Sequence, residues 1–406
     1  MDAPSPQATI RAASSAEVFR AFLKLGLTSF GGPIAHLGYF RDEFVVRRRW
    51  IDERGYADLV ALCQFLPGPA SSQVGLGIGL MKAGVAGALA TWAGFTLPSA
   101  LVMLAFAYGV ESYWEALGSG WLHGLKVVAV AVVAQAVWGM ARTLCPDRER
   151  FTLAAAATLL VLAVPTALGQ IGAILGGGLA GWLLLKPPET RGHVEMPVPV
   201  SRGFAAVNLV AFFLLLGGLP LLAAATGTPA LAIFDGFYRT GSLVFGGGHV
   251  MLPLLQSVVV PPGWVTTDEF LAGYGAAQAI PGPLFTFAAY LGTLMEPLGG
   301  GWPGGILCLL AIFLPSFLLV FGVMPFWDRL RRVQGIQSAL MGVNAAVVGL
   351  LLAALYHPVW TSAIRSPGNF GLGLVAFALL VFWKWPPWLV VLLTALGGGA
   401  VVATGG

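Results

Sequence analysis

Two Pro-Gly-Pro triplets, at 67–69 and 281–283, each interrupt an otherwise apolar stretch: CQFLPGPASSQ, Cys63 to Gln73, and AQAIPGPLFTF, Ala277 to Phe287. Proline removes a backbone donor, clashes with the preceding turn and keeps the residue before it out of helix. Each stretch is therefore expected to be a broken helix. Its first half ends near Leu66 or Ile280, and its second half opens with Pro69 or Pro283 at the first helical position, where proline is favoured. The amides of Ala70, Ser71 and Ser72, and in the second copy those of Leu284, Phe285 and Thr286, then have no intrahelical acceptor. Such a helix start is suited to an anion.

Composition decides the medium. Of 406 residues 57% are hydrophobic and 10% charged, against roughly 25% charged in soluble domains. Several apolar runs reach the roughly 20 residues needed to cross a bilayer. The expected fold class is an all-α polytopic integral membrane protein, and a large soluble α/β protein is excluded. In a membrane, irregular backbone survives only when buried in protein or lining a watery cavity, and paired broken helices in two halves mark a transporter's binding site. The net charge of +4 matters through the placement of Lys and Arg, which reads topology, and nucleic acid is not expected as a partner. Cys63, Cys145 and Cys308 form no CxxC and have no histidine at ligand spacing, so they read as packing residues and no metal is expected. The glycines at 75, 77 and 79 and at 176–178 follow no strand and read as helix packing. With no Walker motif, neither ATP nor any other cofactor is expected. Met1 to Glu17 lacks the apolar core of a cleavable signal.

Taken in order, the chain divides into a polar tail (1–18), an N-terminal membrane repeat (19–185), a polar proline-rich cytoplasmic linker (186–202), a connecting span (203–225) and a C-terminal membrane repeat (226–406). The second half repeats the first. Phe22, Lys24, Gly26, Phe30, Gly31 and Gly32 match Phe237, Arg239, Gly241, Phe245, Gly246 and Gly247 at constant offset. Trp50 matches Trp264, Gln64 matches Gln278, the Pro-Gly-Pro runs coincide, and Leu97-Pro98-Ser99 meets Leu314-Pro315-Ser316. The informative difference is charge. The loop RDEFVVRRRWIDER carries Arg41, Arg47, Arg48, Arg49 and Arg54, whereas its counterpart QSVVVPPGWVTTDEF has no Lys or Arg and holds Asp268 and Glu269. Glu111 and Glu115 follow one span where Arg329, Arg331 and Arg332 follow its equivalent. Opposite charge at equivalent loops predicts inverted repeats, provided that the two interrupted segments of each half are re-entrant and return to their own side.

The candidate binding residues cluster at the breaks. Gly31, Gly32 and Pro33 in the first half, and Phe245, Gly246 and Gly247 in the second, form a bend in each. Pro67, Gly68, Pro69 and Ala70, matched by Pro281, Gly282 and Pro283, form the second break. Gln64 and Gln278 just before it, and Ser71, Ser72, Gln73 and Thr286 after it, add hydrogen-bonding groups whose other use would be interhelical bonding. Lys24 and Arg239 each precede a Phe-Gly-Gly bend by six residues; a cation there holds an anion or snorkels to the interface. His36 and His249 follow the bends without being repeat-equivalent, and either donates to an anion, relays a proton or is bonded in packing. Lys82, Lys126, Asn344 and Glu296 are weaker candidates. A membrane-embedded serine hydrolase would use Ser71 or Ser72 with His36 or His249 as base, but the second copy has Phe285 in place of Ser71.

SFGGPIAHLGYFRDEF followed by Trp50, LCQFLPGPASSQ, FTLPS at 95–99, FGGGHVMLPLL and QAIPGPLFTFAAYLG resemble the paired signatures of the chromate ion transporter family in its long, two-domain form. Lys82 departs from that pattern, in which arginine is more frequent. The resemblance implies a secondary transporter that exports chromate across a bacterial inner membrane, confers chromate resistance and meets sulfate, a tetrahedral dianion of similar size, as a competitor. The expected partners are chromate, sulfate, the lipid bilayer and a second copy of the chain in a homodimer. A sulfate or other oxyanion importer or exchanger is the alternative, distinguished by the direction of flux.

Overall fold

The computed structural model describes residues 13–113, 119–187 and 200–403. The start of the polar tail (1–12), Glu115 and the middle of the linker (188–199) lie outside the described residues. α1 (Ser15–Thr28) is opened by Ser14, whose hydroxyl accepts the Glu17 amide. A glycine bend leads to α2 (Gly32–Arg41), which runs into a π-helical turn, Asp42–Arg47. Asp52 caps α3 (Glu53–Phe65), and the first Pro-Gly-Pro leads into α4 (Ala70–Tyr113). α4 is two helices, because Ala83 and Gly84 leave helical geometry, Gly84 with φ +64°.

α5 (Ser119–Leu144) is followed by a hairpin of α6 (Arg148–Ala163) and α7 (Ala167–Leu184), then by α8 (Arg202–Thr226). The second half repeats the order. It runs α9 (Pro229–Leu243), the Phe245–Gly247 bend and a 3-10 turn, α10 (Met251–Val259), α11 (Thr267–Ala277), the second Pro-Gly-Pro and a 3-10 turn, then α12 (Phe287–Leu294) and α13 (Gly301–Val323). A short helix α14 (Trp327–Leu330) precedes α15 (Gln334–Ala354), and α16 (Thr361–Ala363), α17 (Pro367–Val381) and α18 (Pro387–Ala403) complete the chain. Among the described residues six helices are long and apolar enough to cross a membrane.

The interrupted segments are helical hairpins. Phe22 of α1 meets Phe40 of α2 with ring centroids 5.4 Å apart, and a Cβ on Gly77 would lie 2.6 Å from Leu59, so both arms of each N-terminal hairpin fold back side by side. In the second half a Cβ on Gly236 would overlap Val258, and one on Gly273 would overlap Tyr290. Each second hairpin then turns onto a full span through glycines that admit backbone against backbone. Gly79 and Gly87 face one another in the first half, as Gly292 and Gly304 do in the second, and a Cβ on any of the four would overlap the opposing carbonyl oxygen.

The two repeats exchange their terminal hairpins. α6 and α7 pack on α15, and α17 and α18 pack on α5. The contacts are again glycine on backbone: a Cβ on Gly342 of α15 would overlap the Gly177 carbonyl, and one on Gly124 of α5 would overlap that of Thr394. α8, by contrast, exposes Val207, Phe213, Leu214 and Leu221 along its length, as a helix facing lipid tails does.

One buried acid gathers three cations at the arginine-rich loop. Glu43 is buried and receives Arg47, Arg48 (2.6 Å) and Lys24 (3.8 Å). Burial alone would raise its carboxyl, but the hydrogen bonds from Arg48 and Arg47 outweigh burial and hold it below the ordinary carboxylate range. Glu43→Gln leaves Lys24 and Arg47 without their acid, while Arg48 keeps Glu17 at 3.5 Å. Because Lys24 and Arg47 are exposed, the expected cost is about 1 to 2 kcal/mol. A lowered thermal midpoint of the purified protein checks it.

Candidate anion site

The four hairpin tips meet, and they clasp one another across the repeats. The Gly68 amide donates to the Val244 carbonyl at 2.7 Å, and the Gly282 amide donates to the Ser29 carbonyl at 3.0 Å. Ser29 stands immediately before Phe30-Gly31-Gly32 and Val244 immediately before Phe245-Gly246-Gly247. Each Pro-Gly-Pro is thus tied to the glycine bend of the other repeat, through two bonds between repeat-equivalent residues. The spans continue the exchange, since a Cβ on Gly68 would lie 2.8 Å from Ser316 Oγ and one on Gly282 would lie 2.9 Å from Ser99 Oγ. Only glycine serves at these tips, with φ +121° at Gly68 and +97° at Gly282. The bends close on one another too: a Cβ on Gly248 would sit 3.7 Å from Pro33 and 3.8 Å from Leu284.

Polar side chains collect around this junction. His36 is buried, with Nδ1 3.3 Å from Ser71 Oγ; His249 Nδ1 is 2.7 Å from Tyr274 Oη. Gln73 Nε2 donates to the Pro67 carbonyl at 2.6 Å. The hydroxyls of Ser29, Ser72, Thr96 and Ser316 and the Gln73 Oε1 are buried and have no hydrogen-bond partner among the described residues. A buried polar atom left unpaired costs about 1 to 3 kcal/mol, so a run of them beside helix starts is hydrogen-bonding capacity directed at something other than the protein. Most of it comes from the first repeat, and Ser316 is the contribution of the second. His36 Nε2 also has no partner among the described residues.

Several expectations are corrected here. α3 ends at Phe65, beside the expected Leu66, but α11 ends early, at Ala277, and Pro69 and Pro283 stand one residue outside the helix start. Pro69 offers its carbonyl to the Gln73 amide (2.9 Å), and Pro283 is extended at ψ 132°. The second copy enters through a 3-10 turn in which the Thr286 amide bonds to the Pro283 carbonyl at 3.1 Å, so Thr286 does not offer a free amide. Its hydroxyl is spent on the same carbonyl. Gln64 is exposed on α3, and Gln278 is half-buried, its amide directed to Tyr274 O of its own helix at 3.4 Å.

Lys24 and Arg239 are each paired with a carboxylate, Glu43 and Asp235 respectively. Among the weaker candidates, Lys126 pairs with Asp268 at 3.0 Å, Lys82 lies 5.8 Å from the Trp50 ring centroid, Glu296 is on an exposed turn, and Asn344 Oδ1 is buried beside Gly246. Ser29, Thr96, Ser99, Ser316 and Asp235 were not singled out from sequence. The repeated Leu-Pro-Ser was the available signal for Ser99 and Ser316.

The family model described as Chromate transporter matches residues 16–182 and 231–399. A chromate transport protein of Pseudomonas aeruginosa is 30% identical over 400 residues, covering 94% of this chain and 90% of that protein. One of Cupriavidus metallidurans is 26% identical over 399 residues, 95% of this chain and 94% of that protein. The uncharacterized transporter YwrA of Bacillus subtilis is 26% identical over 178 residues, which are 43% of this chain and 97% of that protein; it has the length of one repeat. No solved structure matches.

Proposed function

This chain belongs to the chromate transporter family, and from that premise we propose that it is a secondary transporter carrying chromate out of the cytoplasm through the junction of its four hairpin tips. The observation that carries the reading is the reciprocal clasp, Gly68 to Val244 and Gly282 to Ser29. It brings the helix start after Pro69, the turn after Pro283 and both glycine bends to one place. A tetrahedral dianion there takes hydrogen bonds from the amides at 70–72 and 284–285, and from the hydroxyls of Ser71, Ser72, Ser29 and Ser316, with His36 as a further donor. Gly31, Gly32, Pro33, Gly246, Gly247 and His249 form the facing wall.

The arginine-rich loop faces the cytoplasm of a bacterial cell and the acidic counterpart faces outward. An interior negative by about 100 mV then favours exit of a dianion by roughly 4 to 5 kcal/mol, from about 2.3 per charge, so export needs no ATP. Because α6–α7 and α17–α18 are exchanged between repeats, access alternates by rocking of the tip-bearing hairpins against that exchanged scaffold.

Chromate uptake into inside-out vesicles tests the direction and the site together. With the vesicle lumen made positive, wild-type protein is expected to accumulate chromate, excess sulfate is expected to blunt it, and Ser71→Ala is expected to raise the half-saturating concentration about tenfold, for about 1.4 kcal/mol of lost hydrogen bonding. Accumulation only when the potential is reversed would make the protein an importer.

A further inference from the structure

A cavity of about 220 Å³ lies between α7, α9 and α10, walled by Gln170, Asp235, Arg239, Thr240, Ser257 and Trp264, with aliphatic residues between them. That is several times the roughly 30 Å³ share of one water in the liquid. Asp235 is buried; its Oδ2 holds Arg239, and its Oδ1 is buried with no partner among the described residues. Gln170, Ser257 and Thr240 are already committed. Gln170 Nε2 donates to the Pro253 carbonyl at 3.0 Å, its Oε1 accepts the Ser257 hydroxyl at 3.2 Å, and Thr240 donates to the Gly236 carbonyl. The one charged pair in the wall therefore has a buried, unused carboxylate oxygen on Asp235, and the partly exposed Arg239 side chain beside open space.

Comparison of the repeats shows that this pair is built differently from its counterpart. Arg239 occupies the position of Lys24. Lys24 shares Glu43, from the opposite arm of its hairpin, with Arg47 and Arg48, and three cations on one carboxylate leave it nothing to exchange. In the second repeat that arm offers Ser257 and Val258 and no charge, and the acid stands one turn earlier on α9 itself, where the first repeat has Arg20. The cavity also adjoins the tip junction. Leu243 lines it, and the next residue, Val244, accepts the Gly68 amide.

The geometry points to a proton-linked oxyanion site at this mouth: Arg239 is held by Asp235 while the carboxylate is ionised, and turns to a tetrahedral oxyanion in the cavity when Asp235 takes a proton. The balance is simple. One proton from water adds to the carboxylate, which becomes neutral, and the guanidinium exchanges that partner for the dianion; departure of the dianion returns the proton to water. Proton uptake and oxyanion binding then strengthen each other, as linkage requires. No other ionisable group of the packed elements shares the cavity wall. α7 and α10 carry none, α13 carries only buried Cys308, Tyr238 of α9 is bonded to the Phe212 carbonyl on α8, and Arg202 and Glu296 are exposed at the start of α8 and on the turn against α9.

The inference rests on the transport reading, and one experiment separates their failures. The probe is radiolabelled sulfate, whose charge is constant across the range used, in sulfate exchange by proteoliposomes of the full chain at equal pH on both sides. For wild type the half-saturating concentration is expected to fall about tenfold between about pH 8 and pH 5. Asp235→Asn is expected to show the low value at every pH, Asp235→Glu to keep the slope, and Arg239→Gln to show a high value without slope. A wild-type slope surviving in Asp235→Asn, or in Arg239→Gln, overturns the inference and leaves transport standing. The loss of slope in Asp235→Glu overturns it as well, since the carboxyl is then not what titrates. Wild-type proteoliposomes that exchange neither sulfate nor chromate overturn the transport reading, and this inference with it.

Discussion

Gly68→Ala is expected to lower chromate flux by at least about 100-fold per folded molecule, equivalent to about 2.7 kcal/mol of lost transition-state stabilisation. Three costs fall on one methyl group. Gly68 is at φ +121°, where a side chain costs about 1 to 3 kcal/mol. Its Cβ would stand 2.6 Å from Gln73 Nε2 and 2.8 Å from Ser316 Oγ, so either the Gln73 bond to the Pro67 carbonyl breaks or the tip retreats from α13. A retreat lengthens the 2.7 Å bond from the Gly68 amide to Val244, and with it the anchor between the two repeats. The tip is a small part of the fold, so the variant should still be recovered from the membrane. Gly282→Ala is expected to act in the same direction, because its Cβ would meet Ser99 Oγ at 2.9 Å and the Phe95 carbonyl at 3.1 Å. Flux normalised to purified, monodisperse protein checks both.

Gly342→Leu is expected to reduce recovery of folded protein at least about tenfold. Its Cβ would overlap the Gly177 carbonyl and lie 2.7 Å from Gly181 Cα, and neither contact is a side chain that could turn away. Overpacking a core by a methylene or so costs about 1 to 3 kcal/mol; here four heavy atoms enter a backbone-to-backbone contact that joins the exchanged hairpin of one repeat to the span of the other. Gly124→Leu, at the equivalent contact with Thr394 and Ala395, should behave alike. Gly217→Leu on α8, where an added Cβ meets nothing within 4 Å, should be recovered normally. Size-exclusion profiles of the three variants decide it.

The breaks were legible because proline and glycine act locally: Pro67, Pro69, Pro281 and Pro283 fix where helix stops whatever surrounds them. The repeat was legible because motif order survives in the chain without reference to contacts. What the tips touch was not. A Pro-Gly-Pro fixes a bend and names no partner, and the glycines at 176–178 predict close packing without saying that each half packs on the other. Gln64 misled because equivalence in sequence does not fix which face of a helix points inward, and the helix α3 turns Gln64 outward while burying Cys63. Thr286 misled because the second copy tightens to 3-10 geometry, which uses an amide that an α-helix start leaves free. Asp235 carried a readable signal, an Asp–Arg pair at i,i+4 within an apolar helix. The repeat match drew attention to Arg239 alone, since equivalence highlights what the halves share and Asp235 is where they differ.

The central claim, an oxyanion held at the crossed tips, is tested most directly by equilibrium binding of radiolabelled chromate to purified wild-type, Gly68→Ala, Gly282→Ala and Gly217→Ala proteins, each shown to be folded. Saturable binding by wild type and Gly217→Ala, displaced by sulfate and weakened at least about tenfold in both tip variants, is the predicted result. Unchanged binding in Gly68→Ala and Gly282→Ala would place the anion elsewhere and contradict the account.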